Sequence, residues 1–305
     1  MSSRPLRVAV LGPGGVGGLL AGLLARGGND VVVLAGKATA HEISQRGVRV
    51  ESARFGNFAA PVRAATRLGD PVDVCFVTVK ATQLEEALQR VPAGALGDGL
   101  VIPMLNGFDH VELLRSVYPA QNVAPATIRI ETIRVGPGVI RQTSPFALVE
   151  IAAGHDNRDR VERIAAALRA TGLDVRVRED ELAMLWDKFG MLGPLALLTT
   201  HQQDNLGAVR TRRREELLAV VREAAAVAAA EGVTLDLEAA ARMVDSAPAE
   251  MSSSMQRDQA AGLPLELDAL GGALLRKARR AGVPVPVTSR LVAEIASRQA
   301  PSGRG

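Results

Sequence analysis

Several residue types are scarce in this sequence. Aromatic side chains make up 3% of the 305 residues, with one Trp and one Tyr. A surface that stacks the bases of single-stranded nucleic acid needs more of them, so Val, Leu and Ala must fill the core and that class of function is disfavoured. The single cysteine, Cys75, has no partner for an intramolecular disulfide. Its place in the apolar run Val72–Val79 marks a buried structural thiol in a protein of a reducing compartment. No apolar stretch approaches the roughly 20 residues that span a bilayer. The N-terminus, Met1-Ser2-Ser3-Arg4-Pro5, carries no signal-peptide pattern. A soluble cytoplasmic protein without a membrane partner is expected. Lysine is also rare: Lys37, Lys80, Lys188 and Lys277 stand against thirty-two arginines. Charges of both signs are interspersed and the net charge is +3. The run Arg210-Thr211-Arg212-Arg213-Arg214 therefore reads as a solvated helix face, and no nucleic-acid partner is expected.

What is present suffices for two domains. Hydrophobic residues are 47% of the chain and charged residues 23%, enough to bury sizeable cores. The first half alternates strand-like and helix-like segments: Arg7–Leu11, then Gly18–Arg26, then Val31–Leu34, with Val74–Val79 and Leu100–Leu105 as further strands. Near-continuous Val/Ile/Leu runs separated by helices predict an α/β fold whose parallel sheet is covered on both faces. Between Val123 and Ala152 the pattern becomes β-rich around Gly136-Pro137-Gly138, predicting antiparallel strands that extend this sheet. A helix at about Asp156–Ala170 and a strand at Leu173–Val177 complete the half. From about Glu179 helical periodicity takes over through Leu182–Leu198, Arg212–Glu231, Leu237–Val244 and Leu267–Ala281. The expected organisation is a doubly wound, Rossmann-type dinucleotide-binding domain at 1–178 and an all-helical substrate and catalytic domain at 179–305. Ligands tend to bind in a cleft between two such domains. The tail Pro301–Gly305 is expected to fray.

Gly12-Pro13-Gly14-Gly15-Val16-Gly17 fits G-x-G-x-x-G directly after a strand and at the opening of a helix. The first glycine permits the turn, the second lets the backbone approach a pyrophosphate, and the third lets helix and strand pack. The helix N-terminus then offers free N–H groups to the phosphates. An acidic residue at the end of the second strand would bind the ribose hydroxyls of NAD. Here Val33-Leu34-Ala35-Gly36-Lys37 has no carboxylate, which favours NADP, with Lys37 either pairing with the 2′-phosphate or standing solvated in its loop. Lys80 and Gln83 follow the third strand, and Asn106 the next, at the carboxyl edge where the cofactor crevice lies. Asn106-Gly107 is equally an ordinary turn signal; otherwise its amide would fix the nicotinamide or a substrate oxygen.

In the helical half, Lys188 borders the apolar stripe Leu182, Leu185, Phe189 and Leu192. It is either a snorkelling side chain or a titratable ammonium suited to donate a proton to a carbonyl, which arginine does poorly. Glu266 borders the stripe Leu263, Leu267, Leu270 and Leu274, where Pro264 suits a helix start and the dipole favours a carboxylate.

Together these elements resemble the ketopantoate reductase (2-dehydropantoate 2-reductase) family over essentially the whole chain. The supporting strings are Val77-Thr78-Val79-Lys80-Ala81-Thr82-Gln83, Asn106-Gly107, Leu185-Trp186-Asp187-Lys188-Phe189, Ser253-Ser254-Met255-Gln256-Arg257-Asp258 and Ala260–Leu270. The resemblance implies an NADP-dependent oxidoreductase that moves hydride from NADPH to the carbonyl of a small 2-oxo acid, a step of pantothenate biosynthesis, with no metal. It implies Lys188 as proton donor, Glu266 as the partner that orients the site, Asn106 as a holder of substrate and cofactor, and Ser254 as the group that binds the substrate carboxylate. Gly12, Gly14, Gly15, Val16, Gly17, Lys37, Lys80 and Gln83 would hold the cofactor. A homodimer is compatible with it. Three asparagines usual in the family are replaced by Leu192, Ala196 and Gly271, and Gly36 stands where an arginine is usual. Losing pocket amides weakens recognition of a polar substrate. The alternatives are a paralogous NAD(P)-dependent oxidoreductase for a more apolar oxo or hydroxy compound, and a catalytically silent NADP-sensing protein.

Overall fold

The computed structural model of the protein describes residues 4–299. The C-terminal segment expected to fray lies outside the described residues. In chain order the elements begin β1 (Arg7–Leu11), α1 (Gly15–Arg26), β2 (Asp30–Leu34), α2 (Lys37–Arg46), β3 (Val48–Ser52), β4 (Phe58–Ala60), β5 (Arg63–Ala65) and β6 (Val74–Val77). There follow α3 (Leu84–Leu88), α4 (Ala93–Leu96), β7 (Leu100–Pro103), α5 (Asp109–Val117), β8 (Ala126–Gly136), β9 (Val139–Ala152), α6 (Arg158–Ala170) and β10 (Asp174–Arg178). The remainder is helical: α7 (Glu181–Gln202), α8 (Leu206–Ala230), α9 (Leu237–Ser246), α10 (Ser254–Ala260), a π-helical turn at Asp268–Gly272, α11 (Ala273–Ala281) and α12 (Pro286–Gln299).

The chain forms two compact units. Among the described residues, one comprises those up to Leu105 with His110–Met184; the other comprises Asn106–Asp109 with residues 185–299. This differs from a division at 178/179 in two respects. The first turn of α7 stays with the first unit, where Glu181 pairs with Arg115 at 2.6 Å. The four residues Asn106–Asp109 also belong with the helices.

In the first unit, β5-β2-β1-β6-β7 form a wholly parallel sheet. Its central strands are buried on both faces, which explains their unbroken apolar sequences. Val8, Val10, Val33 and Phe76 face one core, while Ala9, Leu11, Leu34 and Cys75 face the other. Full burial pushes the Cys75 thiol up to about 12, so it stays protonated and serves as packing. Strand order reverses at β1, which pairs with β2 on one side and β6 on the other. The carboxyl ends of β1 and β6 therefore flank the switch point where open α/β sheets bind ligands.

The hairpin β8–β9 does not extend this sheet, contrary to expectation. It pairs in parallel with β3 and β10 in a second five-stranded sheet of order β10-β9-β3-β4, with β8 antiparallel to β9. An isolated bridge, Val101–Val123, connects the region before it to β7. The physical cause lies in α1, whose glycines let it pack on both sheets: a Cβ on Gly18 would stand 2.4 Å from Ile140 Cδ1. A bulkier helix face would hold the second sheet off.

In the second unit the described residues contain no strand. Contrary to the expectation that no stretch could span a bilayer, α7, at 22 residues, is long and apolar enough to cross a membrane by length and composition alone. Its most apolar window is 61% buried inside the fold, which is how a core helix acquires such a composition.

Candidate active site

The glycine loop is built at the switch point. Gly12 has φ +90°, and a Cβ there would lie 2.4 Å from Val79 Cγ1. A Cβ on Gly17 would lie 2.2 Å from Gly12 O and from Thr78 Oγ1, so only glycine lets α1 begin so close to the strand. Gly14 is different: the nearest atom to a Cβ would be 4.0 Å away, and no side chain caps α1. The backbone there is thus open in front of a helix N-terminus, with Gly15 and Val16 as its first two residues. Thr78, just beyond β6, ties the loop in place. Its N–H donates to Leu11 O, and its hydroxyl lies 2.9 Å from Leu11 O and 2.7 Å from Gly12 O. Thr78 belongs to no motif of its own in the sequence; the signal for it is its position directly after a buried strand at the crevice edge.

Around this loop, Lys37 is exposed at the first residue of α2. Lys80 is half-buried and its carbonyl accepts from the N–H of Gln83, itself exposed. Both follow β6, on the same carboxyl edge as the glycine loop.

The second unit brings together three of the sequence-predicted residues. Lys188 Nζ donates to Asn106 Oδ1 at 2.9 Å, and Asn106 Nδ2 donates to Glu266 Oε2 at 3.4 Å. An ammonium can only donate and a carboxylate can only accept, so the amide has one workable orientation between them. Each amide atom keeps capacity for a second hydrogen bond. Glu266 is 7% exposed and sits just before the helical stretch that opens with the π-turn, its carbonyl accepting from Leu270 N–H. The buried stripe beside it is shorter than expected: Leu267, Leu270 and Leu274 are buried, but Leu263 precedes the helix and is exposed.

Asn106 belongs to this unit because its turn is fastened there. Gly107, at φ +85°, lies so close to the π-turn that a Cβ would be 2.1 Å from Ala269 O. Phe108 stacks at 4.7 Å from both Trp186 and Phe189 of α7, and Lys277 Nζ lies 4.5 Å from its ring centre. Glu231 accepts from Trp186 Nε1 and pairs with Lys277, completing the cage. Asp109 and Asp268 both bind Arg276, which clamps the turn to the start of the helix. None of these fasteners has a signal in the sequence, since the cage and the clamp depend on residues from 45 to 167 positions apart meeting.

Ser254 is not joined to this group. It is exposed at the first residue of α10 and makes no hydrogen bond to Lys188, Asn106 or Glu266. The buried hydroxyl is its neighbour Ser253, which caps α10 through Gln256 N–H and lies 2.9 Å from Thr199 Oγ1. Of the replaced asparagines, Leu192 is half-buried and Ala196 buried. A Cβ on Gly271 would lie 2.4 Å from Val292 Cγ2 and 3.2 Å from Leu197 Cδ2, so that position is a close apolar crossing with no room for an amide.

Comparison with known proteins bears on the chain as a whole. The family model for ketopantoate reductase PanE/ApbA matches residues 8–154, and that for the PanE/ApbA C-terminal region matches 180–299. A 2-dehydropantoate 2-reductase of Mycobacterium tuberculosis is 31% identical over 301 residues, covering 95% of this chain and 97% of the relative. An uncharacterized oxidoreductase of Bacillus subtilis is 30% identical over 300 residues, covering 95% and 98%. Among solved structures, a PanE/ApbA family ketopantoate reductase from Ralstonia eutropha has a TM-score of 0.86 at 28% identity, covering 96% of this chain and 98% of that one. A D-mandelate dehydrogenase solved with NADH and anilino(oxo)acetate shares the fold, with a TM-score of 0.88 at 22% identity and the same coverage. Both halves of the sequence, matched in order and nearly end to end, place the chain in the ketopantoate reductase family of oxidoreductases.

Proposed function

We propose that this protein reduces the carbonyl of a small 2-oxo acid with NADPH. The observation that carries the reading is the linked trio Lys188–Asn106–Glu266, an ammonium oriented by an amide that also bonds a buried carboxylate. The glycine loop fits a dinucleotide because the space in front of Gly14 and the uncapped start of α1 form a cradle that a Cβ would begin to fill. Gly12–Gly17 would hold the pyrophosphate, Lys37 the 2′-phosphate, and Lys80, Gln83 and Asn106 the remainder. When bound, the reduced nicotinamide supplies the hydride. Lys188 binds the substrate oxygen and gives it a proton as negative charge develops, which a lysine ammonium can do and a guanidinium cannot. Asn106 fixes the direction of that ammonium, and Glu266 holds the amide in turn. Ser254, exposed on α10, would contribute to binding the substrate carboxylate by the family resemblance.

A second reading, a more apolar 2-oxo acid in place of ketopantoate, is favoured by the close apolar packing at Gly271 and by Leu192 and Ala196. Following NADPH absorbance with a panel of 2-oxo acids separates the readings. Preference for ketopantoate supports the first; preference of about tenfold or more for a branched or aromatic 2-oxo acid supports the second. Tight NADPH binding without oxidation by any carbonyl compound would overturn both in favour of a sensing protein.

A further inference from the structure

Arg90 follows α3 in a turn and is half-buried. Its Nη1 donates to the carbonyl oxygens of Ala35, at 3.3 Å, and Thr66, at 3.1 Å. Ala35 comes directly after β2 and Thr66 directly after β5, so the guanidinium is fixed across the carboxyl ends of two adjacent strands. The glycine loop is tied to the same corner, with Gly12 N–H donating to Leu34 O at 3.0 Å. At the other end of these two strands Arg63 pairs with Asp30 at 2.9 Å, whereas Arg90 has no carboxylate partner among the described residues.

This corner is where a dinucleotide seated on the glycine loop brings its adenosine ribose. A carboxylate there would accept from the ribose hydroxyls and repel a phosphate. The chain instead has Ala35-Gly36-Lys37, and a Cβ on Gly36 would meet nothing within 4 Å, leaving the approach open. A guanidinium held by two neutral carbonyls still has Nε and Nη2 to offer, in a fork that matches phosphate oxygens. Lys37 adds a second positive charge at the start of α2. We infer that Arg90, together with Lys37, grips the 2′-phosphate of NADPH and sets the preference for it over NADH. The inference rests on the nicotinamide-dependent reductase reading above and adds the residue that chooses the cofactor.

Calorimetric titration of the full chain with NADPH, NADH and adenosine 2′,5′-bisphosphate tests it without recourse to turnover. Arg90→Gln is expected to raise Kd for NADPH and the bisphosphate about 10- to 100-fold, the weight of one or two charge-assisted hydrogen bonds, with Kd for NADH unchanged. Arg90→Lys, which keeps the charge but loses the fork, should show a smaller loss in the same direction, and it carries the test alone if Arg90→Gln does not fold. Equal changes for NADPH and NADH, or an unchanged Kd for NADPH, would overturn the role of Arg90 and leave the reductase reading standing. A wild-type chain that binds neither dinucleotide would overturn both.

Discussion

Lys188 donates a hydrogen bond of 2.9 Å to Asn106, across 82 positions of sequence, and both residues belong to the helical unit. Asn106 arrives there from the end of β7 in the other unit, and the chain returns to that unit at His110. The amide therefore stays with the ammonium of Lys188. A turn anchored by Phe108 and Asp109 keeps its side chain aimed at Lys188 and Glu266 while the backbone on either side is committed elsewhere.

The trio should behave as a unit in kinetics. Lys188→Ala is expected to lower kcat about 10²–10⁴-fold, the usual weight of a positioned general acid, while the Kd for NADPH is preserved. Asn106→Ala and Glu266→Ala should each lower kcat/KM, and the double variant should fall short of the summed losses by about 0.5–3 kcal/mol, because residues joined in one hydrogen-bond network couple. Strict additivity would show that Asn106 and Glu266 act independently. Near-wild-type turnover in Lys188→Ala would remove that residue from the chemistry.

The glycine loop makes a contrasting pair of expectations. A methyl group on Gly17 meets Gly12 O and Thr78 Oγ1 at 2.2 Å, whereas one on Gly14 meets nothing nearer than 4.0 Å. Gly17→Ala should therefore destabilise the first unit, by about 1–3 kcal/mol as overpacking typically does. Gly14→Ala should leave thermal stability intact yet weaken dinucleotide binding, since its methyl would enter the proposed phosphate cradle. Thermal melts read beside NADPH titrations distinguish these effects. Unchanged dinucleotide affinity in Gly14→Ala would mean the phosphates lie elsewhere.

The uneven legibility of the sequence follows from the range of the interactions involved. β1, the glycine loop, α1 and β2 are contiguous and use local signals, so they could be read directly. β4 and β5 are three residues each, too short for a two-residue period to stand out, and the second sheet was missed with them. The hairpin was visible, but its parallel partner β3 lies 90 positions away in sequence, Arg49 facing Val139. Lys188 and Glu266 could be singled out because each borders an apolar stripe. That the two act together follows from the family resemblance alone; their link through Asn106 has no sequence signal, and neither have the carbonyl anchors of Arg90. Ser253 and Ser254 look alike in sequence; only packing makes one a buried cap and leaves the other exposed.

Acid should loosen the second sheet through Glu150. This carboxylate on β9, 2% exposed as a residue, bonds Arg129 of β8 and Arg178 of β10, the latter at 2.7 Å. Burial alone would raise its pKa; the hydrogen bonds and charges of the two arginines outweigh burial and hold it below the ordinary value of 4.5. A pKa depressed by folding contributes stability that is complete above the unfolded value and is lost as pH falls through the lower folded one. Urea unfolding should thus show this contribution at pH 7 and its progressive loss below about pH 4.5. Glu150→Gln leaves both arginines without their shared carboxylate and should cost about 3 kcal/mol at pH 7, the scale for breaking a buried pair. Because the neutral amide has no proton to gain, the variant should also lose stability less steeply on acidification. An equally steep acid limb in both proteins would assign the loss to other carboxylates and reduce Glu150 to a local contact.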